Sequence, residues 1–413
     1  MNRPNVLFLL VDCLRSDAMF ASNRQAITPT LDLLRDAGAA FTQTVASASS
    51  TTPCVASLLT STYSFTHGVR SIFGLKVNPT VQSLIECFRQ EGYFTFAEVT
   101  GPLFPETGLD KGFDDYRFRE GTEYLSTSWG TDFRSRISKK ATRPWFCFLH
   151  LWELHHNRHV LPSFNRRMYG RNRYERALSC LDAELRRLLE VVPEDTLIVV
   201  HGDHGEHVVE TDLRYRWYRL VRDLSLRKNT KREGHEMDVS ETLIRVPIIL
   251  STARCPEHPL KFLAGKRVPQ LVRQIDLLPT ILDLIGAPVP ESIHGTSLKP
   301  ALVSDTILEL EAYIEAFLRV RSDPSNRRVG WRTAEWKYVF APGNPNEPRE
   351  LYNVALDPTE RNNLIHERTD VAAELQNRIQ SIENGPLARG SEYAMSAQEK
   401  VAIEKRLVDL GYM

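Results

Sequence analysis

The apolar residues of this chain fall into short runs, and several of these runs end directly at residues that carry chemistry. Asn5–Val11 reads NVLFLLV and is followed by Asp12, and the run that begins at Thr196 leads into Asp203 and His204. Short runs rich in valine, isoleucine and leucine are typical of strands buried on both faces of a parallel sheet. Because ligands bind beyond the carboxyl ends of such strands, we expect these side chains to meet at one edge.

Two further apolar runs lie next to histidines and carboxylates. Trp145–Leu149 leads into HLWELHHNRH, which contains Glu153 and His155, and Val246–Leu250 follows closely after His235. Aspartate and histidine are hard to borderline ligands that suit divalent ions. A single turn could hold such residues by accident, but their repetition at the ends of several runs favours a metal site.

Apolar residues at helical spacing lie between these runs. The pattern predicts a strand over Tyr93–Val99 and helices over Thr28–Gly38, Val81–Gln90, Tyr174–Val191 and Leu278–Ile285. Strand and helix patterns alternate through about residue 290, which is typical of α/β domains. We therefore predict a doubly wound, mostly parallel sheet flanked by helices.

The pattern changes after Pro300. Strand-like segments lie at Tyr313–Val320, Arg328–Thr333 and Trp336–Phe340. A helical pattern follows at Val371–Ile382, and the residues from Ser391 on favour a further helix. These segments predict a small antiparallel sheet with a helix. We accordingly divide the chain into an α/β domain at residues 1–300, a small-sheet subdomain at 301–385 and a helical tail at 386–413.

Composition narrows the classes of function. The 52 basic and 52 acidic residues give a net charge of zero, which argues against a nucleic-acid partner, since such proteins are basic overall. No apolar run approaches the roughly 20 residues that span a bilayer, and the N-terminus lacks the features of a signal peptide. The six cysteines are scattered and suggest reduced, buried thiols. We predict a cytoplasmic protein without a transmembrane segment and leave open whether it forms a homo-oligomer.

The order and spacing of the motifs resemble those of a known family. In chain order the motifs are NVLFLLVDCLRSD, TPTLDLLRDAGAAF, TTPCVASLLTSTYSFTHGV, FLHLWELHH, DHGE, GHEMDVSETLIRVPIIL and ELYNVALDPTERNNL. Over about residues 4–364 the chain resembles the sulfatase-like branch of the alkaline phosphatase superfamily. The resemblance implies an enzyme that hydrolyses, or sometimes transfers, sulfate, phosphate or phosphonate esters at a divalent metal ion.

The resemblance also implies roles for individual residues. Asp12 matches the first metal-binding aspartate of the family, and Asp203 and His204 match its later metal-binding pair. His235 matches a histidine expected near the substrate oxygens, and His155 matches a histidine usually placed to assist the leaving group. Both of these histidines are therefore candidate catalytic residues.

The nucleophile position distinguishes the branches of the family. Sulfatases carry cysteine, any residue, proline, serine and arginine there, and they oxidise the cysteine to formylglycine. Here the proline is Pro53, so the nucleophile position falls on Thr51, while Cys54 lies three places too late. Thr51 resembles the threonine nucleophiles of the phosphodiesterase and phosphotransferase branches. It could alternatively serve only as the N-cap of a helix at Val55–Leu59.

Two other departures from the sulfatases favour a phosphoester substrate. The sulfatases proper carry two adjacent aspartates where this chain has Asp12 and Cys13. They also carry a lysine-tryptophan-histidine segment where this chain reads TGPLFPETG, so the sulfate-binding lysine and histidine of that segment are absent. The resemblance therefore implies a site closer to that of a phosphoester enzyme.

A divalent metal ion is the expected cofactor. We expect one ion to bind four side chains: Asp12, Thr51, Asp203 and His204. Such an ion lowers the pKa of the threonine hydroxyl, which is otherwise a weak nucleophile at neutral pH. Manganese, zinc or magnesium suits this set, and histidine disfavours calcium. The alternative, which we favour less, adds a second ion at Glu153, His155 and His235.

Substrate contacts are expected from two further residues and from one segment. Arg15 lies within reach of an anion near Asp12, although it could instead pair with Asp17, and Glu153 is the second candidate. The segment 208–232 is rich in basic and aromatic residues. It is either a solvated helix face or a lid for a polyanionic substrate.

These observations favour one class of function over three alternatives. We predict a metal-dependent hydrolase of phosphoric or sulfuric esters that acts on an anionic substrate through a covalent threonine intermediate. The first alternative is a transferase that passes a phospho-headgroup to a polysaccharide or lipid acceptor. The others are an arylsulfatase-type sulfuric ester hydrolase and a binding protein that retains only the fold.

Overall fold

The structure, a computed structural model, describes most of residues 3–392. The positions left out of that range are 73, 140–143, 209–234, 236–237, 253, 256, 318–326, 386 and 388–390, and beyond it positions 400, 401 and 404 are described. The basic segment 208–232, predicted as a helix face or a lid, therefore lies outside the described residues except at its first position. Among the described residues, no helix combines the length and the apolar character needed to cross a bilayer.

The described strands form a large sheet, a small sheet and a short pair. The large sheet holds β1 (Asn5–Val11), β2 (Ala39–Val45), β4 (Phe94–Val99), β5 (Asp115–Phe118), β6 (Trp145–Leu151), β7 (Thr196–Gly202), β8 (Arg245–Ser251) and β9 (Arg267–Arg273). The small sheet holds β10 (Ala312–Phe317), β11 (Arg327–Arg332), β12 (Trp336–Phe340) and β13 (Glu350–Asn353). The pair consists of β3 (Leu75–Lys76) and β14 (Ser391–Glu392).

Helices connect and cover these strands. They are α1 (Ser16–Phe20), α2 (Pro29–Asp36), α3 (Thr51–Thr60), α4 (Ser64–His67), α5 (Leu84–Gln90), α6 (Ser128–Ile137), α7 (Arg173–Leu189), α8 (Glu241–Ile244), α9 (Leu277–Leu284), α10 (Lys299–Val303) and α11 (Thr369–Glu383). Short 3-10 turns lie at Pro105–Thr107, Pro162–Phe164, Arg167–Tyr169, Lys261–Leu263 and Gln274–Asp276.

The large sheet has the strand order β5-β4-β6-β1-β7-β8-β2-β9 and is parallel except at β8. Because β8 runs opposite to its neighbours, the residues before β8 lie at the same edge as the residues after β1, β6 and β7. The segments that follow β1, β6 and β7 and the segment that precedes β8 therefore meet at this edge. The prediction of a doubly wound, mostly parallel sheet flanked by helices is confirmed.

The apolar runs are buried on both faces of the large sheet. In β1 the alternate residues Val6 and Phe8 pack into one core cluster, while Leu7 and Leu9 pack into another on the opposite face. The long helix α7 covers the second face with residues such as Leu178. Burial of both faces explains why β1 reads as a continuous apolar run instead of an alternating one.

The small antiparallel sheet packs against α11 and also contacts the large sheet. Leu375 of α11 packs in one cluster with Tyr338 of β12, as the predicted sheet-plus-helix unit requires. The backbone N–H of Glu315 in β10 donates a hydrogen bond of 3.0 Å to the carbonyl of Ser47. The small sheet thereby supports the loop that leads from β2 into α3.

Some sequence-based boundaries are wrong. The helix predicted from Val81 begins at Leu84, because Ser83 and Glu86 form a capping box that fixes its start. The helix predicted from Ser391 is wrong at its start, where β14 pairs with β3, and most of that tail lies outside the described residues. Strands β2 and β9 were not predicted. The domain boundaries at residues 300 and 385 remain predictions.

Candidate active site and metal centre

Two adjacent strands bring the acidic residues of the site together. In the parallel register of β1 and β7, Val11 lies opposite Gly202, so Asp12 and Asp203 leave the sheet side by side. Asp12, Asp203 and His204 are fully buried, and their ligand atoms all lie within 4.8 Å of one another. The predicted convergence of these three residues at the carboxyl edge is therefore present in the structure.

Thr51 reaches this cluster from the start of α3. Strand β2 runs parallel to β7 in direction and delivers the chain to the same edge, where Ser50 is the N-cap and Thr51 is the first helical residue. The hydroxyl Oγ1 of Thr51 lies 3.1 Å from Asp12 Oδ2 and 3.2 Å from His204 Nε2. The structure thus places this hydroxyl in the cluster, and the N-cap alternative for Thr51 is wrong.

Backbone contacts orient the ligand atoms. The Nδ1 of His204 donates a hydrogen bond of 2.8 Å to the carbonyl of Gly205, which leaves Nε2 facing the cluster. The backbone N–H groups of Cys13 and His204 donate to Asp203 Oδ1 at 3.1 and 2.8 Å. Asp203 Oδ2 is buried without a hydrogen-bond partner among the described residues and lies 3.3 Å from His204 Nε2.

A glycine permits this arrangement. A Cβ atom on Gly205 would lie 2.0 Å from the carbonyl oxygen of Thr242, which is far closer than two such atoms can approach. The segment after β7 therefore packs directly against the backbone before β8. This contact holds His204 at the sheet edge.

The electrostatics of the cluster suit a cation. Burial would raise the pKa of Asp12, but the hydrogen bond with His150 and the surrounding histidines outweigh burial and lower it. Burial and the charge of Asp12 raise the pKa of Asp203. Two buried carboxylates, an imidazole nitrogen and a hydroxyl form a donor set that suits a divalent ion, and Asp203 Oδ2 is aimed into it. The predicted metal ligands therefore fit the metal that the resemblance implies.

Two supporting residues carry roles that the sequence did not reveal. His150 Nε2 lies 3.3 Å from Asp12 Oδ2, and its Nδ1 donates to the carbonyl of Thr100 at 3.1 Å. Gln274 donates to the carbonyl of Asp203 at 3.0 Å and so holds the turn after β7. A sequence signal existed for His150, which directly follows an apolar run near the end of β6 and lies opposite Leu10 of β1, whereas Gln274 comes from a distant turn without such a signal.

The two candidate catalytic histidines lie beside the cluster. His155 stacks on Trp152 with 3.9 Å between ring centroids, and its ring lies 5.5 Å from that of His235. The ring of His235 lies 4.3 Å from that of His204. Burial lowers the pKa of His155 to about 3, so the ring is neutral before an anionic substrate binds.

Glu206, the last residue of the DHGE motif, contacts His235, a role that the motif alone does not predict. Its Oε2 lies 3.4 Å from His235 Nδ1, and its Oε1 accepts a hydrogen bond from the backbone of His207. Burial alone would raise its pKa, but the charge and hydrogen bond of His235 outweigh burial and lower it to about 2. Glu206 thereby positions the ring of His235.

The structure does not bring the two predicted substrate-binding residues into the metal-ligand cluster. Arg15 forms two hydrogen bonds to Asp17, of 2.8 and 2.7 Å, and donates to the carbonyl of Glu206 at 3.0 Å. Glu153 is buried, accepts a hydrogen bond from the backbone of Leu125 at 3.0 Å, and has its pKa raised by burial. The ion-pair alternative for Arg15 is therefore present, and its anion-binding role remains a prediction.

The second ion predicted at Glu153, His155 and His235 has no support among the described residues. The groups of potential ligands found there are Asp12 with Asp203 and His204, and Cys13 with His204 and His235. Glu153 belongs to neither group, and its Oε1 accepts a hydrogen bond from the backbone of Leu125, so the second ion remains the less favoured alternative.

All six cysteines lie among the described residues as thiols without a disulfide, and five of them are buried, as predicted. The thiol of Cys54 donates to the carbonyl of Ala48 at 3.1 Å, one helical turn away from the Thr51 hydroxyl. Cys13 differs from the rest because its Sγ donates to Asp12 Oδ1 at 2.9 Å. Burial and the nearby carboxylates raise the pKa of the Cys13 thiol well above its usual value.

Sequence comparison identifies the family. The profile of the sulfatase family matches residues 4–287, and that of the C-terminal part of N-sulphoglucosamine sulphohydrolase matches residues 238–385. Arylsulfatase K of Rattus norvegicus is 25% identical over 215 residues, which cover 50% of this chain and 33% of that protein. The match thus spans about a third of the length of this curated relative.

Structural comparison identifies the same fold. The phosphonate monoester hydrolase of Agrobacterium radiobacter has a TM-score of 0.72 at 18% identity, covering 96% of this chain and 99% of that one. BT4656, in complex with its substrate D-glucosamine-2-N,6-O-disulfate, has a TM-score of 0.70 at 18% identity, covering 93% and 98%. These likenesses show a fold shared by sulfatases and phosphonate monoester hydrolases. With the profile match over most of its length, the chain belongs to the sulfatase family of ester hydrolases.

Proposed function

We propose that this protein is a metal-dependent hydrolase of phosphoric or sulfuric esters and that the hydroxyl of Thr51 is its nucleophile. The observation that carries the proposal is the position of Thr51 Oγ1, at 3.1 Å from Asp12 Oδ2 and 3.2 Å from His204 Nε2. Both of these atoms belong to the predicted metal-ligand set, so the hydroxyl oxygen lies where it could bind the same ion. A hydroxyl that served only in packing or in helix capping would not be expected to lie within a cluster of buried charged groups.

Each residue of the site has a separate role in the proposed reaction. A divalent ion bound by Asp12, Asp203, His204 and Thr51 would lower the pKa of the hydroxyl and offset the negative charge of the ester. The proton of the Thr51 hydroxyl would leave to solvent when the ion binds. As the bond from Thr51 Oγ1 to phosphorus or sulfur forms, the bond to the leaving oxygen breaks, and that oxygen takes a proton from a histidine. His155 is our first choice for this donor and His235 the second. Water then attacks the threonine ester and regenerates the hydroxyl.

Binding of an anionic ester prepares the donor histidine. The negative charge of the substrate raises the pKa of His155 from the low value that burial imposes. Trp152 stacks on the ring and holds its orientation, so a proton gained there is presented in a fixed direction. The contribution of a positioned proton donor is typically ~10²–10⁴-fold.

A second candidate function is an arylsulfatase-type activity on sulfuric esters. The matching relatives named arylsulfatase K favour it. The chemistry of this chain would nevertheless proceed through Thr51, because Cys54 is directed at the carbonyl of Ala48 instead of the cluster. The proposal includes an anionic ester as the substrate and the cytoplasm as the location of the protein. The six cysteines, none of which forms a disulfide, support the cytoplasmic location.

The test is a substrate panel measured on two matched variants. Aryl sulfate, phosphate monoester, phosphodiester and phosphonate monoester are offered to the protein with Mn²⁺, Zn²⁺ or Mg²⁺. We expect Thr51→Ala to lower kcat by roughly 10⁴-fold or more, as removal of a nucleophile does. Thr52→Ala is the control, because Thr52 is the next residue of α3 and its hydroxyl contacts backbone carbonyls of Ile72 and Pro102.

Two results would overturn the proposal. If Thr51→Ala retains the turnover of Thr52→Ala, the covalent threonine mechanism is wrong. If no ester of the panel is turned over by the metal-loaded protein, the hydrolase assignment is wrong. Turnover of aryl sulfate alone would select the arylsulfatase-type function and exclude a phosphoester substrate.

A further inference from the structure

Cys13 follows the first metal-binding aspartate and has an unusual backbone. Its φ is 60°, in the left-handed region that a residue other than glycine rarely adopts. Two contacts hold it there, since its N–H donates to Asp203 Oδ1 at 3.1 Å and its carbonyl accepts from the hydroxyl of Tyr174 at 2.8 Å. The direction of the thiol is therefore set by the fold, and the strained conformation turns it toward the cluster.

The sulfur lies among the candidate metal ligands. Cys13 Sγ is 2.9 Å from Asp12 Oδ1 and 4.0 Å from His235 Nδ1. Ligand atoms of Cys13, His204 and His235 lie within 4.8 Å of one another, and all three residues are buried. This second group is distinct from the carboxylate group but shares one member with it.

His204, which both groups share, limits the number of ions that the two groups can bind. His204 belongs to both groups, and its Nδ1 already donates to the carbonyl of Gly205. Only Nε2 is left for a metal, and an imidazole nitrogen binds a single ion. The two groups can therefore share no more than one ion at His204 Nε2, and the 2.9 Å contact between Cys13 Sγ and Asp12 Oδ1 links them.

From this geometry we propose that the thiolate of Cys13 is a direct ligand of the metal ion held by Asp12, Asp203 and His204, and that it makes the site selective for zinc-like ions. The inference rests on the metal site of the proposed function. On coordination the sulfur-metal bond replaces the S–H bond, and the proton leaves to solvent. A soft thiolate favours Zn²⁺ and Co²⁺ and disfavours Mg²⁺, Ca²⁺ and Mn²⁺, which prefer oxygen ligands.

Another cysteine of the same chain provides the matched control. Cys147 lies inside β6, opposite Leu7 of β1 and packed in the apolar core, so its thiol is separated from the sheet edge by the following strand residues. Cys147→Ser makes the same chemical change as Cys13→Ser, in an equally buried position.

The test uses cobalt as a spectroscopic probe in the full-length protein. Co²⁺ is added to the metal-free wild type, and the near-ultraviolet sulfur-to-cobalt charge-transfer band is recorded beside the visible ligand-field bands. We expect the charge-transfer band in the wild type and in Cys147→Ser, and its loss in Cys13→Ser with the ligand-field bands retained. In parallel, we expect the ratio of Zn²⁺ to Mn²⁺ affinity to fall about tenfold or more in Cys13→Ser, as for loss of a metal-site contact.

Each alternative result is decisive. Bound Co²⁺ without a charge-transfer band in the wild type overturns the inference whether or not the variant folds, and so does a band that persists in Cys13→Ser. These spectra do not depend on a substrate. A charge-transfer band in a protein that turns over no ester would therefore support the inference while overturning the proposed function, and ester turnover without the band would do the reverse.

Discussion

Two buried clusters of charge in this protein are built in opposite ways. In the ion-pair network, which consists of Glu241, Arg332, Lys337 and Glu360, each side chain is at most 4% exposed. Arg332 Nε lies 3.1 Å from Glu241, and Lys337 pairs with both Glu241 and Glu360. The network therefore contains two carboxylates and two cations. The metal-ligand cluster of Asp12, Thr51, Asp203 and His204 contains two carboxylates, whose contacts are amides, a hydroxyl, a thiol and histidines.

Each cluster holds one carboxyl group whose pKa is lowered, Asp12 or Glu241, and one whose pKa is raised, Asp203 or Glu360, so the difference lies in the groups that supply the counter-charge. Burial would raise the pKa of Glu241, but the charges of Arg332 and Lys337 outweigh it and the pKa is lowered. In the cluster, burial and a neighbouring carboxylate raise the pKa of Asp203. The network supplies its own counter-charge and joins α8 to the small sheet. The cluster lacks a lysine or arginine partner among its described contacts, so we expect a divalent ion to supply the counter-charge.

Removing one ligand of the cluster should have the largest functional effect. We expect Asp203→Asn to lower kcat/KM by roughly 10³-fold or more, about 4 kcal/mol of transition-state stabilisation. The wild type should gain about 2.7 kcal/mol of stability at a metal concentration 100 times its Kd, and the variant should gain less. Kinetics and metal-dependent thermal melting measure both quantities.

A buried aspartate elsewhere is the control for this change. Asp182 accepts hydrogen bonds from the backbone N–H groups of Thr30 and Leu31 and lies outside the cluster. Asp182→Asn should keep the metal-induced gain in stability. Equal metal-induced gains in Asp203→Asn and the wild type would contradict the assignment of Asp203 as a ligand.

Breaking the ion-pair network should affect stability and spare metal binding. Lys337→Met removes the cation that pairs with both Glu360 and Glu241, so we expect the free energy of unfolding to fall by about 3–5 kcal/mol. Denaturant unfolding measures the loss, and a metal titration shows whether the cluster is intact.

An exposed ion pair provides the reference for this second change. Arg186 and Glu190 form a pair with side chains 75% and 59% exposed, so Arg186→Ala should cost less than about 1 kcal/mol. If Lys337→Met lowers the free energy of unfolding no more than Arg186→Ala does, the ion-pair network does not stabilise the fold. If Lys337→Met abolishes metal binding, the network and the metal-ligand cluster are not independent.

A smaller effect on the free energy of unfolding is expected when a buried histidine that belongs to neither cluster is protonated or replaced. His67 bonds Ser57 Oγ at 2.9 Å and accepts from the backbone of Val69, and burial lowers its pKa to about 3. Because an unfolded histidine titrates near 6.5, the unfolded state binds the proton first, and stability is lost as pH falls from about 6.5 toward 3. At pH 5 this amounts to about 2 kcal/mol.

The measurement is the free energy of unfolding against pH in His67→Gln and in the wild type. We expect the variant to show a shallower loss between pH 6.5 and 5, while the exposed His366→Gln should match the wild type. Parallel curves for His67→Gln and the wild type would show that His67 is not held neutral by the fold.

The sequence could predict the parts of the site that follow strands directly. Asp12, Asp203 and His204 come immediately after apolar runs, so the parallel-sheet rule alone brings them together. The contacts of Gln274 and the direction of β8 depend on pairing between distant segments, which no local pattern encodes. Glu153 was a candidate for the substrate or for a second ion. Its Oε1 accepts a hydrogen bond from the backbone of Leu125, a contact between distant segments that the sequence does not reveal, and its substrate role remains a prediction.

The central claim is that Asp12, Thr51, Asp203 and His204 hold one divalent ion. An anomalous difference map from crystals grown with Co²⁺ or Mn²⁺ tests it most directly. The account predicts a single strong peak about 2.0–2.4 Å from ligand atoms of all four side chains. A peak at another site, or one in this cluster that Thr51 Oγ1 does not reach, would contradict it.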